Sequence, residues 1–114
     1  MKTTFLYDSE YDNLIILEKE KNEKVKRNFM FDEIVISLTN SGKVVGLEIR
    51  DISKFLKEIG FNVNLLSKIE KVKLIVKPKK DSIFIGFAIG KSTSKTGLVY
   101  QQIPAANLPI SCIN

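Results

Sequence analysis

Histidine is absent from this chain of 114 residues, which removes the commonest general base, the commonest neutral metal ligand and every Ser-His or Cys-His nucleophile pair. Most hydrolase chemistry goes with it. Cysteine occurs once, at Cys112. No internal disulfide can form, and without a histidine to activate it the thiol reads as buried or incidental rather than nucleophilic. The chain holds no run of about 18 apolar residues to span a bilayer, and no apolar N-terminal stretch of signal length. The expectation is a cytoplasmic protein without membrane attachment.

With 44% hydrophobic and 27% charged residues, the chain is large enough to fold as one unit without disulfides or metal. Two stretches imitate ligand loops. In "GFAIGKST", Gly86 and Gly90 precede Lys91 and Ser92, but a phosphate-binding loop needs four residues between its glycines and a helix behind them. Here three residues intervene, and Ile83 to Ile89 is an apolar run of strand length and composition leading into a polar turn. Asp8, Glu10 and Asp12 are spaced like the first ligands of a calcium loop, yet Asn13 and Lys19 stand where that loop wants Gly and Glu. Both stretches read as strand and turn, so no cofactor, metal or catalytic residue is expected.

Thr4 to Tyr7 and Asn13 to Glu18 are apolar runs around the turn former stretch Asp8 to Asp12, a first hairpin. The charged segment "EKEKNEKVKR" suggests a second, turning at Lys21, Asn22 and Glu23, with Glu20 opposite Lys24 and Glu18 opposite Lys26. In the third, Ile34, Ile36 and Leu38 face Val45, Leu47 and Ile49. A four-residue loop, Asn40 to Lys43, puts both triplets on one face, with Leu38 opposite Val45 and Glu33 opposite Arg50. A three-residue loop with Gly42 left-handed has better turn chemistry but sends the second triplet to the other face. Each buried aliphatic side chain is worth about 1.5 to 3 kcal/mol, against about 1 kcal/mol for the local turn preference. The hydrophobic register should prevail, if need be through a bulge.

A helix should follow, since Ile52, Phe55, Leu56 and Ile59 make one apolar stripe between an N-cap at Asp51 and a stop at Gly60. That stripe should dock on Ile34, Ile36, Val45 and Leu47.

The stretches "YDSEYDNLIIL", Tyr7 to Leu17, and "SLTNSGKVVGLEIRDISKFL", Ser37 to Leu56, resemble the domain of unknown function 2283 family. The shared pattern is a Tyr-Asp turn, an aliphatic strand, a charged hairpin, a Gly turn, and Val-Gly-Leu-Glu-Ile leading into a short helix. Arg50 and Ile52 stand where aliphatic and small residues are usual. The resemblance covers the first half and implies a small β-rich fold without established activity, with antitoxin-like roles for some members.

In the second half Asn64 is placed to cap a short helix, Leu65 to Ile69. "KVKLIVKPKKDSIFIGFAIG" then reads as two strands joined at Pro78 to Asp81. A shift of 69 residues aligns this hairpin with the first, as a degenerate repeat would, although hairpins converge on such patterns by chance. Gly97 to Ile103 supplies a further strand before a tail broken by Pro104 and Pro109.

The expected fold is therefore α+β: antiparallel hairpins with one amphipathic helix on the sheet, residues 1–60, and a C-terminal β meander, residues 61–114, within one compact domain. The net charge of +5 raises nucleic acid as a partner, through Lys71, Lys73, Lys77 and Lys79 on one face of "KVKLIVKPK". With no exposed aromatic interleaved to stack bases, these lysines read first as a guard on an edge strand. A pocket uniting Glu48, Asp51 or Asp81 with a lysine would bring catalysis back. The favoured expectation is a non-enzymatic interaction module that acts on a protein partner or on itself, as a homodimer. Because Ile83 to Ile89 is apolar on both faces, Ile83, Ile85, Phe87 and Ile89 are the expected interface.

Overall fold

Strands that are apolar on both faces need neighbours on both sides, and this requirement orders the first sheet. The computed structural model describes residues 2–31, 33–58, 60, 62–80, 82–90 and 98–104. In chain order its elements are β1 (Lys2–Asp8), β2 (Asn13–Lys19), β3 (Arg27–Phe31), β4 (Ile34–Leu38), β5 (Val44–Ile49), α1 (Ile52–Glu58), a 3-10 helix (Val63–Lys68), β6 (Lys71–Pro78), β7 (Ser82–Gly90) and β8 (Leu98–Pro104). All strand pairs are antiparallel, in a five-stranded sheet of order β1-β2-β5-β4-β3 and a three-stranded sheet of order β6-β7-β8. The α+β class, the helix on the sheet and the C-terminal meander follow the sequence.

The charged second hairpin does not form. β2 lies between β1 and β5, and the chain after it crosses to the far edge, where β3 pairs with β4. The physical reason is the run Leu14–Leu17: Leu14 and Ile16 are fully buried in the core, while Ile15 and Leu17 are half-buried on the other face. Such a strand belongs at the centre of a sheet. The largely exposed β3 takes the edge instead. Glu23 then meets Lys43, at 2.9 Å, and Glu18 accepts a hydrogen bond from Thr3 Oγ1 at 2.7 Å.

The third hairpin satisfies both of its competing demands. Ile34 pairs with Ile49 and Ile36 with Leu47, the hydrophobic register, and Arg50 N donates to Glu33 O at 2.9 Å. Beyond a bulge after Ser37 the register slips by one, so Leu38 faces Val44 rather than Val45. The loop closes through Thr39 N to Lys43 O, with Gly42 at φ +89°. Three residues turn the chain with the favoured left-handed glycine, and the bulge restores the apolar triplet to the core face. Val44 consequently replaces Val45 in the main core cluster.

Helix α1 buries Ile52 and Leu56, with Phe55 packed partly against the same core; Ile59 lies outside the described residues. Asp51 is not its side-chain cap. The 3-10 helix starts earlier than expected, with Asn62 Oδ1 accepting from Asn64 N at 3.0 Å. The two sheets sandwich one core in which Leu14, Ile16, Ile36, Leu47 and Ile49 of the first meet Leu74, Ile83, Ile85, Phe87 and Ile89 of the second. β1–β2 and β6–β7 align by the shift of 69 in residue number, but their registers differ by two: Asp8 pairs with Asn13, whereas the second hairpin closes at Lys79 and Ser82. Cys112 and the tail after Pro104 lie outside the described residues.

Candidate functional site

On β6 the side chains alternate as the pleat requires. Leu74 is buried in the core, with Val72 and Val76 packed against it, while Lys71, Lys73 and Lys77 are exposed on the opposite face. β6 is an edge strand. Its register puts Lys71 beside Gly90, Lys73 beside Ala88, Ile75 beside Gly86 and Lys77 beside Phe84. Lys79, just past the strand, holds its ammonium 5.4 Å from the centre of the Phe84 ring, within cation-π range. A half-buried aromatic ring therefore stands on the strand beside the lysine row. The signal was hidden because Phe84 sits inside an unbroken apolar run, where periodicity does not tell one face from the other.

Ile83, Ile85, Phe87 and Ile89 lie on the other face of β7 and are only 1–2% exposed within the single chain. They are core residues, buried against the first sheet, and have no surface to offer a second copy. The outward face of β7 carries Phe84, Gly86, Ala88 and Gly90, so the run alternates large with small rather than apolar with polar. Gly86 and Gly90 are strand residues, and the polar turn after Gly90 lies outside the described residues.

The calcium-like triad is a turn and a cap. Asp8 Oδ1 accepts from Glu10 N at 3.0 Å and Tyr11 N at 3.3 Å, an Asx arrangement. Asp12, at φ 57°, reaches across to α1. Its carboxylate accepts from Ser53 N at 3.0 Å, Ser53 Oγ at 2.7 Å and the Tyr7 hydroxyl at 2.8 Å, while its carbonyl accepts from Ile52 N at 3.0 Å. The first turn of the helix is thus capped from 41 residues away. Burial opposes the charge on Asp12, but the hydrogen bonds from Ser53 and Tyr7, with Lys57 nearby, outweigh it and hold the carboxyl below its ordinary value. Burial and the bond it donates to Asp12 push the Tyr7 hydroxyl up. Among the described residues no cluster of three carboxylates or thiols is arranged to hold a metal.

Among the described residues, two concavities flank the first sheet. One, of about 250 Å³, is lined by Glu33, Arg50, Asp51, Lys54, Phe55 and Glu58 among others. It unites Asp51 with a lysine, as catalysis would require, but all five charged side chains are exposed to solvent, where water screens them and gives no preorganised field. Asp81 lies outside the described residues. The other, of about 350 Å³, opens on the outward face of the sheet over Ile15, Leu17, Met30, Val35, Glu48 and Arg50. Met30 is 56% exposed, and Leu6, which pairs with Ile15, is 59% exposed. Arg50 Nε donates to Glu48 Oε2 at 3.2 Å on this face. The apolar side chains of α1 and of the second sheet join the core on the opposite face.

No protein-family model matches the chain, and no solved structure matches it. It is 30% identical over 106 residues to "Uncharacterized protein MJ0789" of Methanocaldococcus jannaschii, an alignment that covers 90% of this chain and 85% of that one. Among the described residues no helix is long and apolar enough to cross a membrane.

Proposed function

This chain belongs to the family of that Methanocaldococcus jannaschii protein, and from that premise we propose that it is a non-enzymatic assembly module that pairs with a second copy of itself. The observation that carries the proposal is the outward face of the five-stranded sheet. Leu6, Ile15, Leu17, Met30 and Val35 form an apolar band there, open to solvent at Leu6 and Met30. Contiguous apolar surface of this kind marks interaction sites on soluble domains.

Charge selects the occupant. The outward face of the second sheet bears Lys71, Lys73 and Lys77 and would repel its own copy. The first-sheet face carries Glu48 and Arg50 side by side, so it meets an identical face without net repulsion, as a twofold interface demands. The finer reading, a unit of the domain of unknown function 2283 class with an antitoxin-like role toward a protein partner, rests on the pattern in Tyr7–Leu17 and Ser37–Leu56.

Light scattering tests the assembly. The wild-type protein at micromolar concentration should show twice the chain mass, and Leu6→Glu with Met30→Glu should show the mass of one chain with unchanged circular dichroism. A wild-type mass of 12.9 kDa would overturn the proposal.

A further inference from the structure

We infer that the open edge of β1 is a second self-association surface, where the strand pairs antiparallel with β1 of another copy and joins two five-stranded sheets into one. This contact is separate from the face-to-face pairing proposed above, so either can fail without the other.

Two consecutive residues mark the edge. Among the described residues β1 has a neighbouring strand on one side only, β2. Phe5 stands beside the buried Ile16 and so belongs to the core face, whereas Leu6 stands beside Ile15 and belongs to the outward face. Both are exposed, Phe5 by 37% and Leu6 by 59%. The second sheet covers Leu14 and Ile16 but leaves Phe5 open. A copy stacked on the outward face would cover Leu6 and leave Phe5 in water; a neighbour beside the strand covers both.

Two other edges are built to refuse such a neighbour. β6 presents Lys71, Lys73 and Lys77 and ends at Pro78, and β3 is five residues long and opens at Arg27, after the exposed Lys24 and Lys26. Lysine, proline and short length are the usual guards against strand addition. β1 runs for seven residues, KTTFLYD, with no proline and no charge between its ends. An unguarded edge of that length with exposed apolar side chains is a site for strand pairing.

Charge selects the occupant and its direction. The charged residues of β1 are Lys2 at its start and Asp8 at its end. Antiparallel pairing about a twofold axis at Phe5 sets position 2 of each copy beside position 8 of the other, and opposite charges across a ladder attract. Parallel pairing would set like beside like. The same register puts Phe5 next to the partner's Phe5, an aromatic cross-strand pair, and Leu6 next to the partner's Thr4. The strand is thus complementary to itself, as an isologous contact requires. So short a ladder makes a small interface, and small interfaces are weak. The edge therefore pairs at higher concentration than the face, and copies that use both contacts build masses above two chains.

Sedimentation equilibrium of Met30→Glu isolates the edge, because Met30 lies on β3 at the far side of the sheet and its substitution blocks the face contact alone. Between about 10 µM and about 1 mM, the range of a weak contact, the mass should rise from one chain toward two. Met30→Glu with Phe5→Lys should stay near one chain, its self-affinity lowered about tenfold or more, since lysine on an edge strand opposes pairing. Heteronuclear NMR spectra of Met30→Glu should show the amides of Thr3 to Tyr7 shifting with concentration and those of β3 and β6 holding still. That measurement leaves β1 unaltered, so it holds whether or not Phe5→Lys folds well.

A one-chain mass for Met30→Glu at the highest concentration overturns the inference and leaves the edge to an extended segment of another protein. Association that Phe5→Lys does not weaken, or that shifts the amides of β3 or β6 instead, overturns it too. Failure of the face contact reads differently: wild type and Met30→Glu would then associate alike, both through Phe5.

Discussion

Asp12 performs several tasks with one carboxylate. It ends the first turn, caps α1 through Ser53 and fixes the Tyr7 hydroxyl, so it ties the β1–β2 hairpin to the helix. The "Tyr-Asp" signature in the sequence thus has a structural task, with no catalytic role needed to explain it. Asp12→Ala should destabilise the fold by about 1 to 2 kcal/mol, the range for losing an N-cap, as read by urea unfolding near pH 7. The pH dependence follows from the direction of the shift. The folded-state value lies below the unfolded one, which is about 3.9. The contribution of Asp12 is therefore fully present above about pH 4 and is lost as the pH falls through the folded value. The stability gap between wild type and Asp12→Ala should narrow between pH 6 and pH 3; a constant gap would mean that packing, rather than the charged cap, provides the effect.

Among the elements, the third hairpin shows how two preferences of different size coexist. Burial of the apolar triplet sets the register of the strands at Ile34, Ile36, Leu47 and Ile49, while the loop keeps the left-handed Gly42 that its length requires. The one-residue discrepancy is absorbed where it does least harm, between Ser37 and Leu38. Gly42→Ala should cost about 1 to 2 kcal/mol, the penalty for placing a Cβ in the left-handed region. Gly42→Asn should cost less, since Asn tolerates that conformation better. Urea midpoints would check the order, and equal stability of all three proteins would refute the turn assignment. Gly46 serves a different need: a Cβ there would stand 2.8 Å from Leu17 Cδ2 and 3.0 Å from Ser37 Cβ, between the flanking strands.

At the scale of the molecule, the described residues of the two sheets share one core. Leu74, 3% exposed on β6, belongs to the same cluster as Leu14 and Ile16 on β2. Leu74→Ala should lower the unfolding free energy by about 2 to 5 kcal/mol, as large-to-small changes in a core do. Hydrogen exchange should then show amides of β5 and β7 losing protection together. Loss confined to β6–β8 would mean that the second sheet opens independently of the first.

The sequence by itself determined what neighbouring residues can settle. The strands β1, β2, β4, β5, β6, β7 and β8, the apolar stripe of α1 and the left-handed need at Gly42 all depend on spacing over two to ten residues, which pleat and helix geometry translate into local structure. The lysines of β6 were legible for the same reason, by their alternation along a single strand. Only the tertiary structure decided the rest. β2 left its sequence neighbour β3 and inserted between β1 and β5 because both of its faces are apolar. Asp12 displaced Asp51 as the helix cap because the folded hairpin brings it to Ser53 across 41 residues. Ile83, Ile85, Phe87 and Ile89 went to the core, and Phe84 to the lysine face, because the first sheet covers one side of β7 and leaves the other. A run of apolar residues records that a strand is buried; which of its sides is buried depends on the sheet that packs against it, and that sheet lies far away in the chain.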